Sequence, residues 1–159
     1  MLRLCFVCLG NICRSPIGEG VMRSLLQSGG LADVVEVDSA GTAGYHAGEP
    51  PDGRARAAGR RFGVEVGGRA RQFKRADFDR FDYVLAMDRS NLEDLHDLAP
   101  DVAAKKKLHL LRSFDPASAD GASVPDPYYG SDEDFDDVVR ICQVACTLLL
   151  EKLRREHGL

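Results

Sequence analysis

Short apolar runs alternate along this chain with longer stretches whose apolar residues recur at helical spacing. Runs of strand character fall at Arg3–Val7, Val34–Asp38, Asp82–Met87 and Lys107–Leu110. Helical patterns lie between and after them, at about Pro16–Gln27, Asp52–Phe62, Asn91–Leu98 and Asp132–Glu156. Ser131 precedes Asp132, Glu133 and Asp134, so the last helix opens on an N-cap hydroxyl and three carboxylates suited to the positive end of its dipole. This alternation predicts an α/β fold, a parallel sheet with helices on both faces. With 159 residues and no repeat, low-complexity tract or linker, residues 1–159 are expected to form one domain.

The first strand runs directly into Cys8-Leu9-Gly10-Asn11-Ile12-Cys13-Arg14-Ser15-Pro16. Ligands of open α/β sheets bind at the carboxyl ends of strands, and this loop occupies such an end. A thiol at its start, a guanidinium near its finish and a glycine-bearing turn that opens a helix predict a cradle for a tetrahedral oxyanion. Backbone N–H groups from Leu9 to Arg14, together with the helix dipole, bind anions and favour thiolate at Cys8. A free thiol titrates at about 8.5, so a nucleophile working at neutral pH needs that help. Arg14 adds a planar fork that holds two phosphate oxygens at once. Ser15 lies where its hydroxyl can donate to the Cys8 sulfur, and Pro16 suits the first helical turn. Covalent chemistry on a phosphate-like group follows. Neither a Gly-x-Gly-x-x-Gly fingerprint nor a Walker loop follows the strand, which removes a dinucleotide-binding reading.

Composition changes this picture little. Hydrophobic residues make up 44% and charged residues 29%, as in soluble globular proteins. No apolar run approaches the roughly 20 residues that cross a bilayer, and Leu2–Leu9 lacks a signal-peptide cleavage pattern, so a cytoplasmic location is expected. The net charge of -4 points to neither nucleic acid nor anionic membrane as a partner. The basic stretches Arg54–Arg61, Arg69–Arg75 and Lys105–Lys107 are read as solvated faces and loops, some able to steer an anionic substrate. Five cysteines fit a reducing compartment. Cys5 and Cys8 point to opposite faces of a strand, which disfavours a metal or redox pair, while Cys142 and Cys146, a helical turn apart, are read as quiet core residues.

The Cys-x5-Arg-Ser loop resembles the signature of the low-molecular-weight protein tyrosine phosphatases. The likeness extends over essentially the whole chain. Asp126-Pro127-Tyr128-Tyr129 matches the acid-bearing segment of that family, and Val37-Asp38-Ser39-Ala40-Gly41 and Met87-Asp88-Arg89-Ser90-Asn91-Leu92 fall where it places similar runs. The resemblance implies a four-stranded parallel sheet of flavodoxin-like order and a metal-independent phosphotyrosine phosphatase without cofactor. Cys8 would be the nucleophile, Arg14 the phosphate clamp and Asp126 the general acid, which then activates the water that hydrolyses phosphocysteine. Asp115-Pro116 is a second Asp-Pro pair, but it lacks the following tyrosines.

The resemblance also implies the surroundings. Tyr128 and Tyr129 would wall a pocket completed by Leu9, Ile12 and Tyr45, deep enough to favour phosphotyrosine over phosphoserine. Tyr45 stands where mammalian relatives often carry Trp. Asn11 would hold the loop in a left-handed conformation with Ser39 as partner, and Asp88 would support it. Gly68 lies where some relatives have a histidine in a network behind the loop. Cys13, five positions from Cys8 on a curved loop, is assigned as its redox partner. The expected partners are a phosphotyrosine-containing protein, a tyrosine kinase among them, and phosphate or another oxyanion in the loop. The chain is expected to be a monomer or a weak dimer.

Three alternatives stand beside this reading. Relatives that act on phosphoarginine typically carry Thr at the position of Ile12. Thiol-dependent arsenate reduction uses a similar loop but needs relay cysteines, for which Cys142 and Cys146 in mid-helix are poorly placed. A phosphotyrosine-binding module without activity would have no need of Asp126.

Overall fold

The computed structural model describes residues 1–159. Its elements run β1 (Leu2–Cys8), α1 (Arg14–Ser28), β2 (Val35–Gly41), α2 (Gly53–Arg61), α3 (Asp77–Arg80), β3 (Tyr83–Ala86), α4 (Arg89–Leu98), α5 (Val102–Lys105), β4 (Leu108–Leu110) and α6 (Asp132–His157). A 3-10 turn at Leu111–Phe114 follows β4. The four strands form one parallel sheet in the order β2-β1-β3-β4, the doubly wound arrangement with β1 and β3 inside.

Period-2 alternation in β1 sends its side chains into two separate cores. Leu4, Phe6 and Cys8 join Ile17, Met22, Phe135, Cys142 and Leu149 from α1 and α6 on one face. Cys5 and Val7 join Phe73, Phe78, Phe81, Leu95 and Ala104 on the other. Cys5 and Cys8 therefore lie on opposite sides of the sheet, and Cys142 and Cys146 are fully buried. Burial pushes the Cys142 thiol up to about 12 and raises Cys146 as well, which keeps both protonated at neutral pH.

Helix ends follow local chemistry. Asp134 accepts from the Ser131 backbone N–H at 2.8 Å and so closes the start of α6. Asp52 accepts from the Arg54 N–H at 2.8 Å and caps α2. In α4 the cap is reciprocal: Asp88 accepts from the Asn91 N–H at 2.7 Å, and the Asn91 side chain accepts from the Asp88 N–H at 3.2 Å. The strand β2 runs to Gly41, three residues beyond the sequence expectation, because Ser39, Ala40 and Gly41 pair with Phe6, Val7 and Cys8. A further segment bridges the sheet edge at Gly41 and Gln72.

Candidate active site

The loop from Cys8 to Ser15 connects the C-terminal end of β1 to the start of α1. Its backbone N–H groups from Leu9 to Ser15 donate to no acceptor in the chain. They form a ring of free donors at a helix N-terminus, which is what a tetrahedral oxyanion requires. Around this ring a pocket of about 300 Å³ is lined by Cys8, Leu9, Gly10, Ile12, Cys13, Arg14, Tyr45, His46, Asp126, Tyr128 and Tyr129.

Behind the pocket the loop is held by a hydrogen-bond chain with a single direction. The Ser39 hydroxyl donates to Glu19 at 2.6 Å and accepts from the Asn11 side-chain amide at 3.0 Å. The other amide proton of Asn11 goes to the Ser15 hydroxyl at 2.8 Å. Ser15 thereby keeps its own proton to donate, either to the Cys8 sulfur at 3.0 Å or to the Ala40 carbonyl at 3.3 Å. Asn11 also accepts from the Arg71 N–H at 3.0 Å. With φ at 57° it is the only non-glycine residue in left-handed backbone, so three side-chain bonds hold a conformation that Asn tolerates better than most. Gly68, in an exposed irregular segment, adds no side chain to this network; the remaining oxygen of Glu19 is taken by Arg23 at 2.5 Å.

Arg14 is buried and clamped from behind. Its Nη1 donates to Asp88 at 2.6 Å and to the Val124 carbonyl at 3.1 Å. Burial alone would lower its pKa, but Cys8 and Asp88 outweigh that and raise it, so the guanidinium stays charged. One carboxylate thus caps α4 and orients the loop cation. The same Val124 donates its N–H to the Met87 carbonyl at 2.7 Å, which ties the segment leading to Asp126 to the end of β3.

Asp126 lies at the pocket wall with its side chain about half exposed, 3.8 Å from Arg14 Nη2. Its Oδ1 accepts from the Tyr128 N–H at 3.1 Å, leaving Oδ2 toward the pocket cation. Asp115, by contrast, spends Oδ1 on the Ala117 N–H in a surface turn and lines no part of the pocket. Tyr128 and Tyr129 meet edge to face, with centroids 5.0 Å apart. Cys13 is buried in the same pocket lining as Cys8, and burial, with Asp52 and Cys8 adding to it, pushes its thiol up to about 12.

The structure thus gathers the sequence-predicted residues into two layers. The pocket layer holds Cys8, Leu9, Gly10, Ile12, Cys13, Arg14, Tyr45, Asp126, Tyr128 and Tyr129, and the layer behind it holds Asn11, Ser15, Ser39 and Asp88. Sequence reasoning missed Glu19, Arg71, Asn91 and His46. Glu19 was visible in principle, because it sits one helical turn after Ser15 on the inner face of α1. His46 adjoins Tyr45 and pairs with Glu49 at 2.5 Å, while its ring covers Gly10. Nothing local marks Arg71, whose contribution is a backbone N–H.

Fold and site together define a protein with a thiol-bearing phosphate loop on a doubly wound sheet. A family model for the low molecular weight phosphotyrosine protein phosphatases matches residues 3–158, and the chain belongs to that family. It is 45% identical over 155 residues to a low molecular weight protein-tyrosine-phosphatase of Streptomyces coelicolor, covering 97% of this chain and 94% of that one. It is 46% identical over 148 residues to the human low molecular weight phosphotyrosine protein phosphatase, covering 92% of each. A protein tyrosine phosphatase from Entamoeba histolytica, crystallised with Hepes in the active site, superposes with a TM-score of 0.93 at 40% identity over the full length of both chains.

Proposed function

We propose that this chain hydrolyses phosphotyrosine in proteins through a phosphocysteine intermediate. The observation that carries the reading is the ring of free N–H groups closed by a buried, doubly anchored Arg14 around the Cys8 sulfur. Sulfur attacks phosphorus while the bond to the phenolic oxygen breaks, and Asp126 gives that oxygen its proton. Charge on the transferring group spreads over the equatorial oxygens, where the loop donors and Arg14 already stand. Asp126, now a carboxylate, takes a proton from the water that attacks phosphocysteine, and phosphate leaves with the thiolate restored. The loop supplies its own positive charge, so the mechanism asks for no metal or cofactor.

Substrate class follows from the walls. Tyr45, Tyr128 and Tyr129 line the pocket together with Leu9 and Ile12, and aromatic and apolar walls of this kind suit a phenyl ring, whereas phosphoserine would leave those surfaces wet. The protein partner is then a phosphotyrosyl protein. No helix is long and apolar enough to cross a membrane. A reactive thiol works in a reducing compartment, which supports placement in the cytoplasm. Cys13, kept protonated beside Cys8, is the partner for a protective disulfide if Cys8 is oxidised to the sulfenic acid.

The test is hydrolysis of p-nitrophenyl phosphate and of phosphotyrosine, phosphoserine and phosphoarginine peptides in the presence of EDTA. Phosphotyrosine is expected to be preferred, Cys8→Ser to be inactive, and Asp126→Ala to lose about 10²–10⁴-fold in kcat, the usual contribution of a general acid. Inactivation by hydrogen peroxide is expected to be reversed by dithiothreitol in the parent and largely irreversible in Cys13→Ser. Binding of phosphotyrosine without turnover, or a preference for phosphoarginine, would replace this reading.

A further inference from the structure

Asp115–Ser131 is the longest stretch of the chain outside helix and strand, and it carries Asp126. Loops longer than about 12–15 residues with no structure of their own are uncommon and usually serve a function, so what fixes this one bears on where the acid stands. Before Val124 its own hydrogen bonds close short turns: the Ser118 and Ala122 N–H groups donate to the Asp115 and Ala119 carbonyls at 3.1 Å, and the Ser118 hydroxyl donates to the Arg112 carbonyl at 2.8 Å. Two guanidinium groups reach it from firmer ground. Arg112 Nη1 donates to the Ser123 carbonyl at 3.0 Å, and Arg89 Nε donates to the Gly121 carbonyl at 3.2 Å. Arg112 sits in the 3-10 turn after β4, next to the fully buried Leu111. Arg89 is the first residue of α4, next to the Asp88 that orients Arg14.

Neither arginine owes its place to charge pairing. No ion pair of the chain includes Arg89 or Arg112. A cation in the first turn of a helix opposes the dipole, so α4 gains nothing from Arg89. The partner segment is shaped to receive it. Gly121 is in left-handed backbone with φ at 68°, and a Cβ there would lie 1.8 Å from Arg89 Nη2, so only glycine lets the guanidinium lie against this turn.

From these anchors to the acid the chain is stiff. Pro125 and Pro127 have fixed φ, and Val124 and Asp126, each preceding a proline, are kept out of the helical region. Val124 is fully buried and donates its N–H to the Met87 carbonyl at 2.7 Å. The carbonyls of Ser123 and Val124 go in succession to Arg112 and Arg14. One anchored residue fixes a point, whereas two in succession fix the direction in which the chain continues. That direction carries Asp126 to 3.8 Å from Arg14 Nη2.

We infer that Arg112, assisted by Arg89, is a positioning residue for the general acid, holding the segment so that Asp126 meets the leaving oxygen of a substrate bound at Cys8. The charge of each guanidinium strengthens its bond to a backbone carbonyl, and the bond is made outside the pocket, where it touches no substrate. The inference rests on the phosphatase reading and extends the machinery of that site beyond its lining.

The experiment compares kcat/KM, which covers the steps up to departure of the leaving group, on phenyl phosphate and on p-nitrophenyl phosphate. Phenolate needs a proton more than p-nitrophenolate does, because the nitro group spreads the charge, so a misplaced acid weighs more on phenyl phosphate. Arg112→Met and Arg89→Met remove the donors and keep the apolar stems, Arg112→Lys keeps a charged donor, and Asp126→Asn, alone or combined with each, removes the acid. Arg112→Met is expected to lose about tenfold on phenyl phosphate and about twofold or less on p-nitrophenyl phosphate, as for a modest misplacement of a reacting group. Arg89→Met and Gly121→Ala, which displaces the Arg89 guanidinium, should lose about threefold on phenyl phosphate. Arg112→Lys should recover most of the loss. In the Asp126→Asn enzyme Arg112→Met should cost nothing further on either ester, since no acid is left to misplace. An equal fractional loss on both esters, or a loss undiminished in Asp126→Asn, means that Arg112 acts through Arg14 or through the fold, and overturns the inference. Parental kcat/KM in Arg112→Met on phenyl phosphate overturns it too. If Arg112→Met does not fold, Arg89→Met, with its exposed side chain, decides by the same criteria. A parent that hydrolyses neither ester, or Asp126→Asn without loss on phenyl phosphate, is a separate result: it removes the phosphatase reading or its acid, and the inference falls with it.

Discussion

Asn11 joins two demands that one substitution cannot meet. Its backbone is in the left-handed region at φ 57°, and its side chain bonds Ser15, Ser39 and the Arg71 N–H. Glycine adopts that backbone freely but makes none of the bonds, whereas alanine fails on both counts. If the bonds fix the loop donors, Asn11→Gly should lose about tenfold or more in kcat/KM on p-nitrophenyl phosphate, because small misplacement of reacting groups is costly. Asn11→Ala should lose as much activity and be less stable to urea than Asn11→Gly. An Asn11→Gly enzyme with parental kinetics would mean that only the backbone conformation matters. The residues of this loop were legible because Cys8, Arg14 and Ser15 fall within one short run, Cys8–Ser15, and their chemistry is local. Glu19 completes the same network yet was not singled out, since an acid on the inner face of a helix is recognisable only when its partner Ser39, on another strand, is known to face it.

Helices were legible in proportion to their length. The helix Asp132–His157 has enough turns for its apolar stripe and charged start to agree, and its start was placed at the observed residue. Asp77–Arg80 and Val102–Lys105 are single turns of four residues, too short to show any period, and neither was expected. The extension of β2 through Ser39, Ala40 and Gly41 was missed because small residues carry little strand signal of their own; pairing with β1 decides it. Packing between α1 and the segment after α2 is equally non-local. A Cβ at Gly20 would lie 2.5 Å from the Glu65 carbonyl oxygen, a backbone atom with little freedom to yield. Gly20→Ala raises helix propensity by about 1 kcal/mol on its own, so a local view predicts stabilisation. The contact predicts the opposite: a net loss of about 1–3 kcal/mol, measured as a lower urea midpoint with an unchanged slope, as the helix and the Val64–Val66 segment separate.

At the scale of the molecule the sheet order and the meeting of distant segments decide what the site can be. Parallel pairing brings Asp88, after β3, onto Arg14, after β1, and carries Val124 to the same guanidinium. Such contacts span 74 and 110 residues of sequence and leave no mark in it other than residue type. Away from the site, another long-range cluster gives the fold a pH dependence. His109 on β4 stacks on Tyr83 of β3, with ring centroids 5.6 Å apart, and packs at 5.6 Å against Phe114. Lys152 and Glu156 face it from α6, and His157 bonds the Tyr83 hydroxyl at 2.9 Å. Burial first, then the charge of Lys152, lower the His109 pKa from its ordinary value of 6.5, with Glu156 opposing them. The folded chain therefore binds this proton less readily than the unfolded chain. The contribution of His109 to stability is complete above about pH 6.5, declines as pH falls through that value, and levels off below the folded pKa. His109→Phe keeps an aromatic ring in the stack and cannot titrate. The parent should lose more stability than His109→Phe between pH 8 and pH 5, seen as a larger fall in urea midpoint. Parallel curves would mean that His109 is protonated equally in both states, and that the acid sensitivity of the fold comes from its carboxylates instead.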